Sequence, residues 1–333
     1  MISASPAPPS APPLLLPRAT PLAAWLWVHR FLLAGGAIIL VAVGVRLALV
    51  AAGWPGSDSD DATMGLMARH ILLRGEHPIF FYGQAYMGTI EAYLGALFYA
   101  VMGVSAFALK CGLIVLYGLF MGVMYALLAW AFQPRVALVG LVLLAVGADE
   151  QLKLQLEAYG GYLETLLFGA LLIVITMWLI RRAGGVPHTW QGWGGFALWG
   201  LIAGVAIWSD PLVAPFVALA FVPLVLLQRR QVRRWVVGLA VLGFVVGVAP
   251  WLVYIGTSPS FSAAKSFLKD APTHHVGTLV QPSTGQPLID HLLGVVVISV
   301  PNRTGVTAIC HDTAAALWPP AQWGASGMWG CLG

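Results

Sequence analysis

Residues 31–53 read FLLAGGAIILVAVGVRLALVAAG, an apolar run in which Arg46 is the one charge. A helix needs roughly 20 apolar residues to cross a bilayer, whereas the apolar part of a cleaved leader has about 7–15. The run Phe31–Gly53 therefore reads as a retained span, and Arg18 and Arg30 precede it as a cytoplasmic anchor does. Working outward, the same ruler finds spans at Ala106–Phe132, Val136–Ala148, Leu163–Ile180, Gly195–Ser209, Leu212–Leu227, Val236–Ile255 and Leu292–Ile309. These patterns predict an all-α, polytopic transmembrane bundle of about eight spans. Composition agrees. Of 333 residues, 59% are hydrophobic and 9% charged, with mean hydropathy +0.84. Soluble domains carry about a quarter charged residues, so this chain cannot offer water an ordinary surface.

The net charge of +4 comes from arginines flanking apolar runs, a topology signal that argues against a nucleic-acid partner. Cys111, Cys310 and Cys331 form no disulfide framework or metal spacing, and the eight histidines include no HxxxH pair. The Pro-, Ala- and Ser-rich start, to about Thr20, marks a cytoplasmic tail over 1–30 that is expected to be disordered. A membrane core is expected over 31–256, an outer loop over 257–291, and a last span with its tail over 292–333.

The apolar stretch Met87–Met102 is expected to lie flat or re-enter on the outer side, because only then do the arginines alternate cleanly. Arg18 and Arg30, Arg135, Arg181 and Arg182, and Arg229, Arg230, Arg233 and Arg234 then share one face, cytoplasmic by the positive-inside rule. Twelve acids fall on the opposite face: Asp58, Asp60, Asp61, Glu76, Glu91, Asp149, Glu150, Glu157, Glu164, Asp210, Asp270 and Asp290. Asp312 alone departs from the pattern among 13. Carboxylates contribute little to orientation, so topology does not sort them this way, but a working site on that face does.

Two outer loops carry the chemistry. The first, 54–105, opens Gly-Ser-Asp-Ser-Asp-Asp and continues into Ala62–Leu73, where Met64, Leu66, Met67, Ile71 and Leu72 recur at helical spacing. That is a juxtamembrane amphipathic helix with Asp60 or Asp61 at its start. An N-cap and a first-turn acid explain part of this cluster, but not three acids within four residues at the end of a span. Phe80, Phe81 and Tyr82 suit an interfacial belt. Glu91 and Glu164 enter apolar runs, where acids are functional candidates. The second loop, 149–162, ends in Tyr159-Gly160-Gly161-Tyr162. Lys110, about one turn inside its span, either snorkels outward or pairs with an outer acid or a ligand phosphate. Arg46 lies about two turns inside the first span, where an unpaired charge costs several kcal/mol.

The run Asp60-Asp61-Ala62 … Ala68-Arg69-His70-Ile71-Leu72 … Gly75-Glu76 … Pro78, with Gly83–Glu91 and Tyr159–Thr165, resembles the luminal loops of the GT-C glycosyltransferases. These include the protein O-mannosyltransferases and the bacterial aminoarabinose transferases. Lys110 stands where that family usually has Arg. The likeness covers roughly Phe31 to Tyr254; family members are generally longer, which casts this chain as a C-terminally shortened member. The resemblance implies a multi-pass protein of the bacterial plasma membrane, with its N-terminus in the cytoplasm. It implies transfer of a sugar from a polyprenyl-phosphate donor to an acceptor hydroxyl on a glycan, lipid or protein. Asp60 and Asp61 are then the catalytic candidates. Arg69, Arg74, Glu91, Lys110, Tyr159 and Glu164 are the substrate-binding ones. No metal ligands and no cofactor are assigned, and the Asp58, Asp60 and Asp61 cluster leaves a divalent cation open. The alternative is a transporter or lipid-sugar flippase without covalent chemistry, for which broken helices and midplane acids are the marks.

Overall fold

A computed structural model describes residues 21–84, 86–183, 190–228 and 234–257. The helices are α1 (Pro21–Ala51), α2 (Ser59–Arg74), α3 (Ile90–Met102), α4 (Ala106–Ala131), α5 (Pro134–Val146) and α6 (Asp149–Leu156). They continue with α7 (Tyr162–Ala183), α8 (Trp190–Ser209), α9 (Ala214–Gln228), α10 (Arg234–Gly247) and α11 (Ala249–Thr257), a 3-10 turn at Pro211–Val213 preceding α9. The expected Leu292–Ile309 span, the 257–291 loop beyond Thr257, Arg229, Arg230, Arg233 and the tail before Pro21 lie outside the described residues.

The chain is an all-α membrane protein. His29–Ala51, Ala106–Ala131 and Tyr162–Arg181 are long and apolar enough to cross a bilayer. Val236–Gly247 and Ala249–Thr257 make a fourth span if the pair, bent by 57°, counts as one. The expected continuous span Val236–Ile255 is thus broken, and Pro250 supplies the reason: it has no N–H to bond the carbonyl four residues back across the break. Ile90–Met102, Pro134–Val146, Trp193–Ser209 and Pro211–Leu226 are shorter apolar helices. Leu40, Val41, Val139 and Leu143 are 61–73% exposed. In water that surface would be untenable; facing lipid tails it costs nothing.

Three local expectations change. Residues 21–30, assigned to a disordered tail, are helical from Pro21, where the fixed φ of proline suits a first helical position. The start of the second loop is a helix, α6, with Asp149 and Glu150 in its first turn and Lys153 in its last. Lys153 Nζ lies 2.7 Å from Asp149, one turn back. The amphipathic helix α2 is capped by Asp58 rather than by Asp60 or Asp61.

Hydrogen bonds bring one set of helix ends together. Trp208 Nε1 donates to the Ile79 carbonyl (3.1 Å), Gly88 N–H to the Ser209 carbonyl (2.8 Å) and Lys110 Nζ to the Pro55 carbonyl (3.1 Å). At the other end Arg181 Nη2 donates to the Trp130 carbonyl at 2.9 Å. Every acid among the described residues belongs to the first end or the loops above it. We call it the acidic end.

Lipid tails are as apolar as leucine, so helices in a bilayer associate through close packing rather than hydrophobic exclusion. The closest approach is α8 against α10. A Cβ on Gly204 would stand 2.3 Å from the Phe244 carbonyl oxygen, and one on Gly243 2.2 Å from that of Ala197. Gly200 and Gly247 repeat the pattern one turn away, giving a small-xxx-small stripe on both helices. The opposing atoms are backbone and cannot swing aside. Gly204→Val is expected to lower the midpoint of thermal unfolding in mild detergent by an amount corresponding to about 3 kcal/mol or more. Gly238→Val, on α10 with nothing within 4 Å of its Cβ position, should leave the midpoint unchanged.

Candidate active site

The site begins where α2 begins. Asp58, in extended geometry, accepts the backbone N–H groups of Asp60 (3.0 Å) and Asp61 (2.9 Å). That cap fixes the first turn, and the next two acids then point in different directions because successive residues on a helix are about 100° apart. Asp61 turns inward and is buried; Asp60 stays half-exposed.

Asp61 Oδ2 lies 2.9 Å from Lys110 Nζ, both side chains being nearly inaccessible. The other oxygen, Oδ1, accepts the backbone N–H of Ala158 from the second loop. Lys110 therefore neither snorkels nor stands free: Asp61 and the Pro55 carbonyl hold it. Of the alternatives for this lysine, pairing with an outer acid is what the structure contains.

The second loop reaches this point through two consecutive glycines. Gly160 and Gly161 have φ of 78° and 84°, a region L side chains rarely adopt. A Cβ at Gly161 would stand 2.5 Å from Asp210 Oδ2, so the bare backbone also lets that carboxyl approach. Gly160 N–H donates to Glu91 Oε2 at 3.1 Å. Glu91, at the start of α3, and Glu164, in the first turn of α7, are buried neighbours. The loops after α1 and before α7 thus converge on one group of carboxyls.

Asp210 completes the group from the end of α8. Its Oδ1 accepts the Leu212 N–H at 2.8 Å, and burial pushes its pKa up to about 6. The Asp60 carboxyl is also raised above the usual range, by partial burial first and then by the neighbouring charges of Asp58 and Asp61. Tyr159 faces Glu157 and Asp58; burial, then the hydrogen bond to Glu157, holds its phenol well above the ordinary tyrosine value. Among the described residues no group of three or more His, Cys, Asp or Glu is placed to hold a metal ion.

Asp61, Lys110, Glu91 and Glu164 are brought together, with Asp60 and Tyr159 at their edge. Arg69 and Arg74 are not part of this group. At about 1.5 Å rise per residue they stand roughly 13 and 21 Å from Asp60 along α2. Arg69 is exposed, and Arg74 lies 3.5 Å from Glu76 in a separate cluster. There Tyr82 donates to Glu76 at 2.6 Å and contacts His70 Nδ1 at 3.0 Å. That bond chiefly lowers the Glu76 pKa, while burial and Glu76 raise that of Tyr82 to about 12.

Sequence reasoning assigned no role to Asp210, Glu157 or the partner of Arg46. Asp210 had a readable signal, an Asp-Pro step directly after an apolar run. Arg46 had none. Fully buried, it donates to Gln155 Oε1 through Nε (3.0 Å) and Nη2 (2.7 Å), and to the Ala42 and Ala145 carbonyls through Nη1. Its guanidinium lies 3.7 Å from the Tyr117 ring centroid. The loop bearing Gln155 is therefore tied to the bundle two residues before Glu157.

No family profile and no curated protein matches the chain. Among solved structures, it is similar to the Archaeoglobus fulgidus oligosaccharyltransferase in complex with zinc and sulfate. The TM-score is 0.45 at 13% identity, over 81% of this chain and 41% of that one. It is also similar to oligosaccharyltransferase AglB from the same organism, in complex with an inhibitory peptide and a dolichol-phosphate. There the TM-score is 0.46 at 13% identity, over 90% of this chain and 40% of that one. The chain spans about two fifths of the length of either. A likeness of that size is no basis for assigning residues or chemistry.

Removing one member of a buried ion pair strands the other charge, at a cost of roughly 3–5 kcal/mol. Lys110→Met should therefore depress the unfolding midpoint strongly. The double variant Asp61→Asn, Lys110→Met should recover most of the loss, since neither charge then remains. Equal midpoints for wild type and Lys110→Met would show that the pair contributes nothing.

Proposed function

We propose that the acidic end is the active site of a membrane glycosyltransferase, moving a sugar from a polyprenyl-phosphate donor to an acceptor hydroxyl. The observation that carries this reading is the half-exposed Asp60, with its raised pKa, standing beside the buried Asp61–Lys110 pair. The loop resemblance supports it. In this reading the acidic end faces away from the cytoplasm, the N-terminus lies in the cytoplasm, and the membrane is the bacterial plasma membrane.

Asp60 is the general base. As the acceptor oxygen attacks the anomeric carbon, its proton passes to the Asp60 carboxylate, and the bond from that carbon to the phosphate oxygen breaks. The electron pair leaves with polyprenyl phosphate, a good leaving group that needs no proton donor. Positive charge accumulates on the sugar in the transition state, which nearby carboxylates favour. Asp61 supplies that field, the carboxyls of Glu91 and Glu164 stand beside it, and Tyr159 lines the approach.

Phosphate needs a cation. Arg69 and Arg74 are too far along α2 to share an anomeric carbon with Asp60. Lys110 is the cation at hand, and the donor phosphate competes with Asp61 for its ammonium group. Glu91 and Glu164 orient sugar or acceptor.

Purified protein in vesicles would be given polyprenyl-phosphate hexose or pentose labelled in the sugar, together with an envelope extract as acceptor. Label should move into a new glycosidic product, and Asp60→Asn should reduce that transfer about a hundredfold or more while membrane insertion is retained. Transfer at the wild-type rate in Asp60→Asn would remove the base assignment. Label crossing the bilayer with no new product would replace the enzyme by a flippase.

The pH dependence carries a definite sign. The base acts when ionised, so rate is lost as pH falls through its pKa. Because burial and two neighbouring carboxylates raise that pKa, the acid limb should lie above the ordinary aspartate value of about 3.9. Replacing Asp58 with Asn removes one of those charges and should shift the limb toward lower pH.

A further inference from the structure

At the end of the bundle opposite the acids, a cleft of about 420 Å³ opens between α4, α7 and α8. Trp130, Ile175, Trp178, Gly194, Gly195 and Leu198 line it. Its volume falls in the range of small-molecule sites, about 300–1,000 Å³. Two glycines give it its shape. A Cβ on Gly195 would lie 2.4 Å from Trp178 Cζ3, so the indole rests against bare backbone. Nothing stands within 4 Å of the Cβ position of Gly194, which opens on free space.

The cleft is apolar, but a fixed charge stands beside it. Arg181, three residues beyond Trp178 on α7, places its guanidinium 4.9 Å from the Trp130 ring centroid and donates through Nη2 to the Trp130 carbonyl. Arginine has five N–H donors, and this bond uses one. Arg181 is exposed, and no carboxylate among the described residues lies within ion-pair distance of it. The described acids are all at the far end of the bundle.

An open apolar cleft on a membrane helix bundle does not stay empty. A void forfeits the dispersion contacts of its walls, and hydrocarbon is the solvent at hand. Tryptophan side chains mark the level where tails meet headgroups, and basic residues at a pocket between membrane helices select anionic headgroups. We propose that this cleft binds one acyl chain of an anionic phospholipid, whose phosphate sits on the Arg181 guanidinium. The volume suits a single chain, and the complementary charge is held in place by the Trp130 ring and carbonyl.

The experiment uses the full chain in mild detergent, titrated separately with phosphatidylglycerol, phosphatidylcholine of the same acyl chains, and polyprenyl phosphate. Retained lipid is counted by native mass spectrometry. Wild type should retain phosphatidylglycerol about tenfold better than phosphatidylcholine, a charge-assisted contact being the difference. Arg181→Gln should bring the two lipids to parity. Gly194→Leu places a side chain in the open space without meeting any neighbour; it should cut phosphatidylglycerol retention several-fold at an unchanged unfolding midpoint.

Equal retention of phosphatidylglycerol by wild type and Gly194→Leu would overturn the site, as would equal retention of the two phospholipids by wild type. Displacement of phosphatidylglycerol by equimolar polyprenyl phosphate would overturn the choice of occupant. None of these results depends on glycosyl transfer, so the lipid site and the proposed enzyme stand or fall separately.

Discussion

Asp61 and Lys110 meet at 2.9 Å in a nearly sealed environment, and the acidic end is arranged around that contact. Neither charge is tolerated there alone. To bring them together the first turn of α2 must press against the start of α4, and Asp58 fixes where that turn begins. The second oxygen of Asp61 takes a backbone N–H from the loop before α7, so two segments 97 residues apart in sequence close on one carboxylate. Asp60 follows as a consequence. One residue from Asp61, it is rotated out of the contact and left half-exposed. The same helical geometry that satisfies one carboxylate frees the other.

Glycine serves two different constraints in this bundle. At Gly160 and Gly161 it allows a left-handed backbone and the approach of Asp210, so the loop can donate N–H groups among buried carboxyls. Between α8 and α10 it allows backbone to lie on backbone, which replaces the missing hydrophobic drive between helices in lipid. Arg46 is a third solution to burial. It finds no carboxylate among the described residues but spreads its charge over Gln155, two carbonyls and the Tyr117 ring, pinning the second loop from below.

Charge segregation and helical class were legible in the sequence because both follow from the bilayer: apolar run length and the side on which charges fall. Glu91 and Glu164 stood out in the sequence because they enter apolar runs, but whether the two acidic loops meet is a question of tertiary geometry. The identity of the cap was missed by two residues, since Asp58, Asp60 and Asp61 all suit a helix start and only geometry chooses among them. Lys110 was left between snorkelling and pairing because sequence gives depth but not the position of a partner. Gln155 was invisible as the partner of Arg46, a contact between residues 109 apart. The bend near Pro250 and the helix at Asp149–Leu156 were lost to the apolar-run ruler, which sees length and not breaks or short polar helices.

An end of the bundle so rich in carboxyls poses an electrostatic problem for the anionic donor proposed above, and the arrangement of charge bears on how it is resolved. The acids that would repel a phosphate are largely occupied: Asp61 by Lys110 and Ala158, Glu91 by Gly160, Asp210 by Leu212. In the proposed reading a phosphate reaching Lys110 must displace Asp61 from it, while Glu91 and Asp210 stay engaged. As the glycosidic bond lengthens, the electron pair leaves with the phosphate, which gains negative charge while positive charge builds on the sugar. Carboxylates that oppose binding of the donor then favour the positive sugar ring. Interactions stronger in the transition state than in the ground state are the ones that accelerate a reaction. In the proposed reading, buried carboxyls around one paired lysine meet that condition for transfer from a lipid phosphate. A transporter, which must bind the same charge at the start and end of its cycle, gains nothing from it.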